Sequence, residues 1–101
     1  MTDPLDLSVL IPARNEVDNL PSLLMEIRTA LAAEDFEVLV VDDGSSDRTL
    51  SVLLQLKNQG YTQLRILRHQ QSLGQSTSLW HAAQAARGRW LATLDLSLIH
   101  I

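Results

Sequence analysis

The chain has 101 residues, enough for one domain with a single hydrophobic core. Hydrophobic residues make up 46% of it and charged residues 20%, as is common in globular α/β domains. A net charge of −4 argues against a nucleic-acid partner, and the absence of cysteine excludes disulfides and thiolate metal sites. The acidic N-terminus is not a signal peptide, and no run of about eighteen apolar residues occurs. We therefore expect a cytoplasmic chain that meets a membrane only through C-terminal regions outside this sequence.

The first half of the chain predicts two strand–helix units. Residues 7–11 form an apolar run closed by Pro12, as expected of a strand buried on both faces of a parallel sheet. Residues 18–33 follow with apolar side chains at helical spacing and with Asp18 or Asn19 available as the N-cap. Residues 36–43 predict the second strand. Residues 45–60 predict a helix with one face formed by Leu50, Leu53, Leu54 and Lys57, and with Gly60 at its end.

The second half predicts two more strands around a third helix. Residues 64–69 form a short strand and residues 89–95 form the fourth. Between them, residues 74–88 predict a helix that ends at Gly88 and places Leu79 and the alanines 82, 83 and 86 against the sheet. The alternation predicts a Rossmann-like α/β fold, a mostly parallel sheet with helices on both faces. We expect Trp80 and Trp90 to pack in the interior and His81 to lie on the helix surface.

Unusual polar residues gather where the predicted strands end. Ligands of open α/β sheets bind beyond the carboxyl ends of the strands. Each residue there also has an ordinary explanation as a turn, a cap or a solvated charge, and Arg68 and His69 stand equally as loop residues or phosphate contacts. Their joint placement favours a ligand site. The residues are Arg14, Asn15, Glu16, Asp42, Asp43, Arg68, His69 and Asp95.

The turns after the strands lack the usual glycine cradles for phosphate. The first turn, "IPARNE", has no G-x-G-x-x-G, and "GSSDRT" lacks the lysine and second glycine of a P-loop. A bound diphosphate would therefore need arginine side chains or a metal ion to balance its charge. Asp95 is placed to help hold such a cation, although Mg²⁺ or Mn²⁺ normally takes several oxygens, some from phosphates and waters.

Three blocks together resemble one enzyme family. "LSVLIPARNE", "VLVVDDGSSDRT" and "LGQSTSLWHAAQAARGRWLATLD" are similar in order and spacing to the nucleotide-binding half of glycosyltransferase family 2, over residues 7–95. The likeness is to the branch of dolichyl-phosphate mannosyltransferases and undecaprenyl-phosphate sugar transferases. It implies a GT-A fold and transfer, with inversion, of a sugar from a nucleoside diphosphate sugar to an acceptor such as a polyprenyl phosphate. It also implies Mg²⁺ or Mn²⁺ in the full-length enzyme, at the cytoplasmic face of a membrane.

The resemblance also assigns residues. It implies that Pro12, Ala13, Arg14 and Glu16 line the nucleotide pocket, and that Asp43 contacts the base while Asp42 orients the turn. Gly74 and the start of its helix would lie near the diphosphate. Asp95 would be the first carboxylate of the D-x-D motif, which binds the metal. On this reasoning Asp43→Ala should weaken nucleotide binding with little effect on folding. The resemblance leaves open the donor sugar, the base (uracil or guanine) and the catalytic base.

The sequence departs from the family pattern after Asp95. Position 97 is Ser where the second Asp of D-x-D is expected. The tail "LSLIHI" fits no amphipathic or turn pattern and resembles the translated end of a transposon adapter used in sequencing libraries. We expect residues 1–95 to be the N-terminal part of a glycosyltransferase domain and residues 96–101 to be non-native, so that this chain is inactive alone. An unbroken genomic frame ending at Ile101 would contradict that expectation.

Two other functions fit parts of the sequence. "VLVVDDGSSDRT" and "LATLDLS" also resemble segments of a response-regulator receiver, in which Asp42 and Asp43 would bind Mg²⁺ and Asp95 would be phosphorylated. Receivers begin at that strand, whereas here a complete strand–helix unit precedes it. The second alternative is a nucleotide-binding module without catalysis. Labelling of Asp95 by a small phosphodonor would favour the receiver, and saturable binding of UDP- or GDP-sugars would favour the transferase.

Overall fold

Strands and helices alternate along residues 5–95, the part of the chain that the computed structural model describes. All strand pairs are parallel, and the order across the sheet is β3-β2-β1-β4. The predicted α/β sheet is confirmed, whereas the predicted non-native tail lies outside the described residues. The elements are β1 (Leu5–Ala13), α1 (Leu20–Ala30), β2 (Phe36–Asp43), α2 (Thr49–Asn58), β3 (Leu64–His69), α3 (Gln75–Ala85) and β4 (Gly88–Thr93).

The central strands separate two hydrophobic layers. Every residue of β2 is buried, as its continuous apolar run predicts. Because side chains alternate along a strand, one face of β1 and β2 packs on α1 and α2 and the other on α3. The first layer includes Val9, Ile11, Val38, Val40, Leu20, Leu24 and Leu53; the second includes Leu10, Leu39, Val41 and Ala82.

Helix α1 has the buried face that its spacing predicts. Leu20, Leu24 and Ile27 follow one another by about one turn and are all buried. Asn19 occupies the N-cap position, but its side chain makes no capping hydrogen bond. The helix is also joined to the segment after α2, where the hydroxyl of buried Tyr61 donates to the Leu24 carbonyl at 2.6 Å. None of the described helices is long and apolar enough to cross a bilayer.

Two predictions about helices α2 and α3 are wrong. Leu54 was expected on the buried face of α2 but is 48% exposed. The residues of α2 that are buried against the sheet are Thr49 and Leu53, and Leu54, the next residue, points away from that face. Gly88 does not end α3; it begins β4 and pairs with β1. A Cβ at Gly88 would lie 2.5 Å from the backbone nitrogen of Ser8, so this position requires glycine for close strand approach.

Both tryptophans are exposed, contrary to the expectation that they pack in the interior. Trp80 is 62% exposed because it lies on the outer side of α3, away from buried Ala82. Trp90 is 73% exposed because β4 is the edge strand within residues 5–95 and no helix of that range covers its side chain. Composition alone could not reveal either position.

An ionic cluster is buried near the amino ends of the strands. Glu37 is 3% exposed and accepts hydrogen bonds from the Ser8 hydroxyl (2.6 Å), the Arg65 guanidinium (2.7 Å) and the Arg87 backbone N–H (2.6 Å). Burial alone would raise the pKa of Glu37, but these donors hold it below its ordinary value. The cluster therefore ties β1, β2 and β3 to the connection between α3 and β4.

Candidate functional site

A cavity of about 290 Å³ lies at the carboxyl ends of the strands. In the strand order, β2 lies on one side of β1 and β4 on the other, so the connections diverge from β1 at the place where such folds bind ligands. The cavity brings together predicted site residues from four parts of the chain, whereas the predicted residues Asn15, Asp42, Arg68 and His69 do not line it. Its lining consists of Pro12, Ala13, Arg14, Glu16, Asp43, Ser72, Gly74, Gln75 and Asp95.

Asp43 is the most heavily hydrogen-bonded residue of the cavity. It ends β2 and is 5% exposed. Its Oδ1 accepts from the Leu73 N–H and lies 2.8 Å from His69 Nδ1, whereas its Oδ2 accepts from the Ser72 hydroxyl and the Gly74 N–H. A carboxylate offers about four acceptor positions, so this one is saturated from within the chain. Asp43 thereby fixes the loop between β3 and α3.

The same contacts control the charge of Asp43. Burial by itself would raise the pKa of this carboxyl, because it disfavours the charged form. The donors of Leu73, His69, Ser72 and Gly74 outweigh burial and hold the pKa far below its ordinary range. Asp43 is therefore an anion at any pH near neutral, and its carboxylate can only accept hydrogen bonds.

Asp42 points away from the cavity. Adjacent residues of a strand face opposite sides of the sheet, and Asp42 shares the side of Val40 rather than that of Asp43. It is 1% exposed, and its Oδ1 accepts from the Ser45 N–H at 3.2 Å. Asp42 thus orients the turn after β2 and does not line the cavity.

Asn15 joins the first two loops of the site. Its side-chain oxygen accepts from the backbone N–H groups of Ser46 (2.8 Å) and Asp47 (3.2 Å), and the backbone N–H of Asn15 donates to the Ser45 hydroxyl. Its φ of 54° lies in the left-handed region, which asparagine tolerates better than most residues. The turn after β2 also lies against the loop between β3 and α3. The approach is so close that a Cβ at Gly44 would lie 2.5 Å from the Ser72 nitrogen.

Asp95 lies just after β4 at the opposite side of the cavity. Its Oδ2 accepts from Gln75 Nε2 at 3.2 Å, which connects β4 to the start of α3. Within residues 5–95, no group of three acidic or histidine side chains is arranged to hold a metal ion. Asp95 fits a divalent cation as one ligand, since Mg²⁺ sites often combine one or two carboxylates with substrate phosphates and waters.

The sequence did not predict the contributions of Ser72 and His81, whereas Gln75 begins the helix whose start was expected near the ligand. Ser72, two residues before Gly74, and Gln75, directly after it, line the cavity, and the φ of 99° at Gly74 turns the chain into α3. His81 was expected on the helix surface, but its Nδ1 lies 2.8 Å from His69 Nε2. The glycine before a predicted helix was a usable signal for Ser72, whereas nothing local marked the contact between the histidines.

Sequence comparison decides which family the chain belongs to. Residues 8–99 match the model of glycosyl transferase family 2. The chain belongs to this family. Among curated family 2 relatives, the dolichyl-phosphate beta-glucosyltransferase of Drosophila melanogaster is 37% identical over 99 residues, covering 90% of this chain and 30% of that protein. The dodecaprenyl-phosphate galacturonate synthase of Rhizobium johnstonii is 32% identical over 93 residues, covering 90% and 28%. The chain thus spans less than a third of these relatives.

Solved structures agree with the family 2 assignment. The S. aureus protein TarS (residues 1–349), in complex with UDP-GlcNAc, superposes with a TM-score of 0.70 at 27% identity, covering 90% of this chain and 26% of that chain. A mannosyltransferase from Pyrobaculum calidifontis, in complex with GDP-Man and Mn²⁺, superposes with a TM-score of 0.69 at 24% identity, covering 94% and 28%. The second likeness concerns the fold alone. The described residues therefore have the GT-A type of α/β fold.

The family 2 assignment also removes the receiver alternative. A receiver would need Asp42 and Asp43 to bind one Mg²⁺ together. Here Asp42 binds the turn on one face, whereas Asp43 is occupied by four donors on the other. The assigned roles of the cavity residues in a family 2 site remain predictions.

Proposed function

We propose that this chain is the donor-binding part of an inverting glycosyltransferase that moves a sugar from a nucleoside diphosphate sugar to a polyprenyl phosphate. The observation that carries the proposal is a cavity to which the ends of four strands contribute, in a chain that belongs to family 2. Two further findings support it. The curated relatives are named for dolichyl and dodecaprenyl phosphate, and the TarS structure contains UDP-GlcNAc. The reaction would then take place at the cytoplasmic face of a membrane.

The proposed nucleotide contacts start from β1. Pro12 and Ala13 would support the nucleoside, with Glu16 beside them, while Arg14 would face the diphosphate. Gly74 and Gln75 begin α3, and the N-terminus of a helix carries a partial positive charge that favours phosphate. Arg14 and this helix end would together offset the diphosphate charge that the absent glycine cradles leave unbalanced.

Asp43 would accept a hydrogen bond from the base. Because its four acceptor positions are already occupied, a base N–H must replace one existing donor. The Ser72 hydroxyl is the donor that can rotate away most easily, since the N–H groups of Leu73 and Gly74 are fixed by the backbone. We therefore propose that Ser72 yields its place to the base.

Asp95 would hold Mg²⁺ or Mn²⁺ together with diphosphate oxygens and waters. When bound, such a cation acts as a Lewis acid: it offsets the negative charge of the diphosphate and so stabilises the departing nucleoside diphosphate. Gln75 would orient Asp95 through the hydrogen bond between them. In the transfer, an acceptor oxygen forms a bond to the anomeric carbon while the bond from that carbon to the diphosphate oxygen breaks, which inverts the configuration. A phosphate oxygen of the acceptor is already anionic and needs no general base for this attack.

Calorimetric titration of the chain with UDP, GDP, UDP-GlcNAc and GDP-mannose tests the proposal, each with and without MnCl₂. We expect saturable binding of the uridine or the guanosine series, strengthened by Mn²⁺. Asp95→Asn should remove the strengthening by Mn²⁺ and leave binding without metal unchanged. Asp6→Asn is the matched control, since Asp6 is exposed at the other end of β1. Absence of binding by all four ligands, or an Asp95→Asn titration identical to wild type, would contradict the proposal. We expect no sugar transfer by this chain alone.

A further inference from the structure

Behind the cavity, three side chains from three elements form a continuous hydrogen-bonded row. Asp43 Oδ1 at the end of β2 lies 2.8 Å from His69 Nδ1 at the end of β3. His69 Nε2 lies 2.8 Å from His81 Nδ1 on α3, and the two rings meet edge to face. Asp43 and His69 are almost fully buried, with side chains 7% and 10% exposed. The row runs from the cavity wall to the space between β3 and α3.

The chemistry of this row fixes its protons. Asp43 is ionised and can only accept, so His69 Nδ1 must carry a hydrogen. In neutral His69 the other ring nitrogen, Nε2, is then an acceptor, which requires His81 Nδ1 to donate. When both rings are neutral, each therefore holds its hydrogen on Nδ1.

We infer that His81 is a positioning residue for the donor site: it holds the His69 ring, which holds the Asp43 carboxylate and, through it, the loop that carries Ser72, Leu73 and Gly74. This inference rests on the proposed function. A ring bound at both nitrogens has one orientation, whereas a ring bound at Nδ1 alone can turn about its bond to the chain. Because Asp43 Oδ1 serves both His69 and the Leu73 N–H, a turned His69 ring would release one side of the carboxylate.

The surroundings of His81 offer His69 little replacement. The space between β3 and α3 is lined by Leu67, Trp80 and Ala85 as well as Arg68 and Gln84. Arg68 and Gln84 carry N–H donors, but among the described residues the side chain of His69 hydrogen-bonds only Asp43 and His81. In this arrangement His69 Nε2 would therefore lose its donor when His81 is replaced.

Substitution at position 81 separates positioning from packing. His81→Asn keeps an N–H donor close to the place of Nδ1, whereas His81→Leu keeps the bulk and removes the donor. Gln84→Ala is the control, because Gln84 lines the same space one turn later on α3. If His81 only packs, leucine should serve at least as well as asparagine. If His81 positions His69, the loop protection and nucleotide affinity that are lost in His81→Leu should be kept in His81→Asn.

Two readouts without nucleotide test the inference directly. In wild type, ¹⁵N spectra of the imidazoles should show the Nδ1–H tautomer for both His69 and His81 at a pH where both are neutral. Amide exchange of Leu73 and Gly74 should be about fivefold faster in His81→Leu, equivalent to one net hydrogen bond, and near wild type in His81→Asn and Gln84→Ala. An Nε2–H tautomer at His81, or loop exchange unchanged by His81→Leu, overturns the inference.

Titration with UDP and GDP then connects the row to binding. We expect His81→Leu to bind about fivefold more weakly and His81→Asn to match wild type. Equal affinity of His81→Leu and wild type overturns the positioning role. If wild type binds neither nucleotide, the proposed function fails, while the tautomers and the loop exchange still decide whether His81 positions the loop.

Discussion

Replacing Asp43 by alanine should destabilise the fold as well as the proposed binding site. The substitution removes an acceptor from four donors, and hydrogen bonds to a charged group contribute about 1.5–3 kcal/mol each. Ser72, Leu73 and Gly74 are exposed residues whose donors can regain water, so the effects will not add fully. We expect a loss of about 3 kcal/mol in the free energy of unfolding, a large share of the roughly 5–15 kcal/mol of a domain. The expectation from sequence that Asp43→Ala leaves folding nearly unchanged does not fit these contacts.

Urea unfolding followed by far-UV circular dichroism measures this loss. Fluorescence is a poor probe, because Trp80 and Trp90 are already exposed in the folded chain. Asp18→Ala, at an exposed position, is the control and should match wild type. Asp43→Asn should lose about 2 kcal/mol, because an NH₂ group must then face at least one of the fixed backbone N–H donors. Stability of Asp43→Ala within about 0.5 kcal/mol of wild type would refute the reasoning.

The pH dependence gives an independent check on Asp43. Folding lowers the pKa of its carboxyl below the ordinary value of 3.8, because the donors of the loop outweigh burial. The resulting stability is complete above about pH 5 and declines as the pH falls below that, by up to about 1.4 kcal/mol per unit. The difference in stability between wild type and Asp43→Asn should therefore shrink from about pH 5 to about pH 3. A constant difference would show that the carboxylate charge is not what the loop stabilises.

Two further substitutions test the frame of the site. Asn15→Ala and Asn15→Gly should both accelerate amide exchange at Ser46 and Asp47 and lower the free energy of unfolding by about 1–2 kcal/mol, because both remove the side-chain acceptor. Glycine also relieves the positive φ, so full protection of these amides in Asn15→Gly would show that the φ of residue 15 alone matters. Gly88→Ala should lower the free energy of unfolding, measured in urea, by at least about 2 kcal/mol, because the alanine Cβ would lie 2.5 Å from the Ser8 nitrogen. Unchanged stability would show that β1 and β4 can move apart to admit the Cβ.

The order of the elements could be predicted from the sequence because each one has a strong local pattern. β2 is a continuous apolar run, and the buried residues of α1 recur about one turn apart. The exposed fractions of Trp80 and Trp90 could not be predicted in this way. They depend on which side of α3 meets the sheet and on which strand lies at its edge, and both are properties of the assembled fold.

The site was predictable only to the level of strand ends. Parallel strands bring their carboxyl ends to one edge, so the meeting of Arg14, Asp43 and Asp95 followed from the element order. The opposite orientations of Asp42 and Asp43 follow from strand alternation and could have been read from the sequence. The donors to Asp43 could not, because three of them come from a loop about thirty residues away with no local pattern that marks them.

The buried cluster around Glu37 lies at the end of the sheet opposite the cavity. Because of this separation, the fraction of folded molecules and the affinity of a folded molecule for a nucleotide can change independently. Changes to Glu37 or its partner Arg65 alter how much of the chain is folded, because they leave a buried charge uncompensated. They do not touch the surface that would meet a nucleotide. The affinity of each folded molecule is then independent of the abundance of folded molecules. Variation at the amino ends of the strands can thus change the free energy of unfolding while the proposed nucleotide-binding surface stays the same.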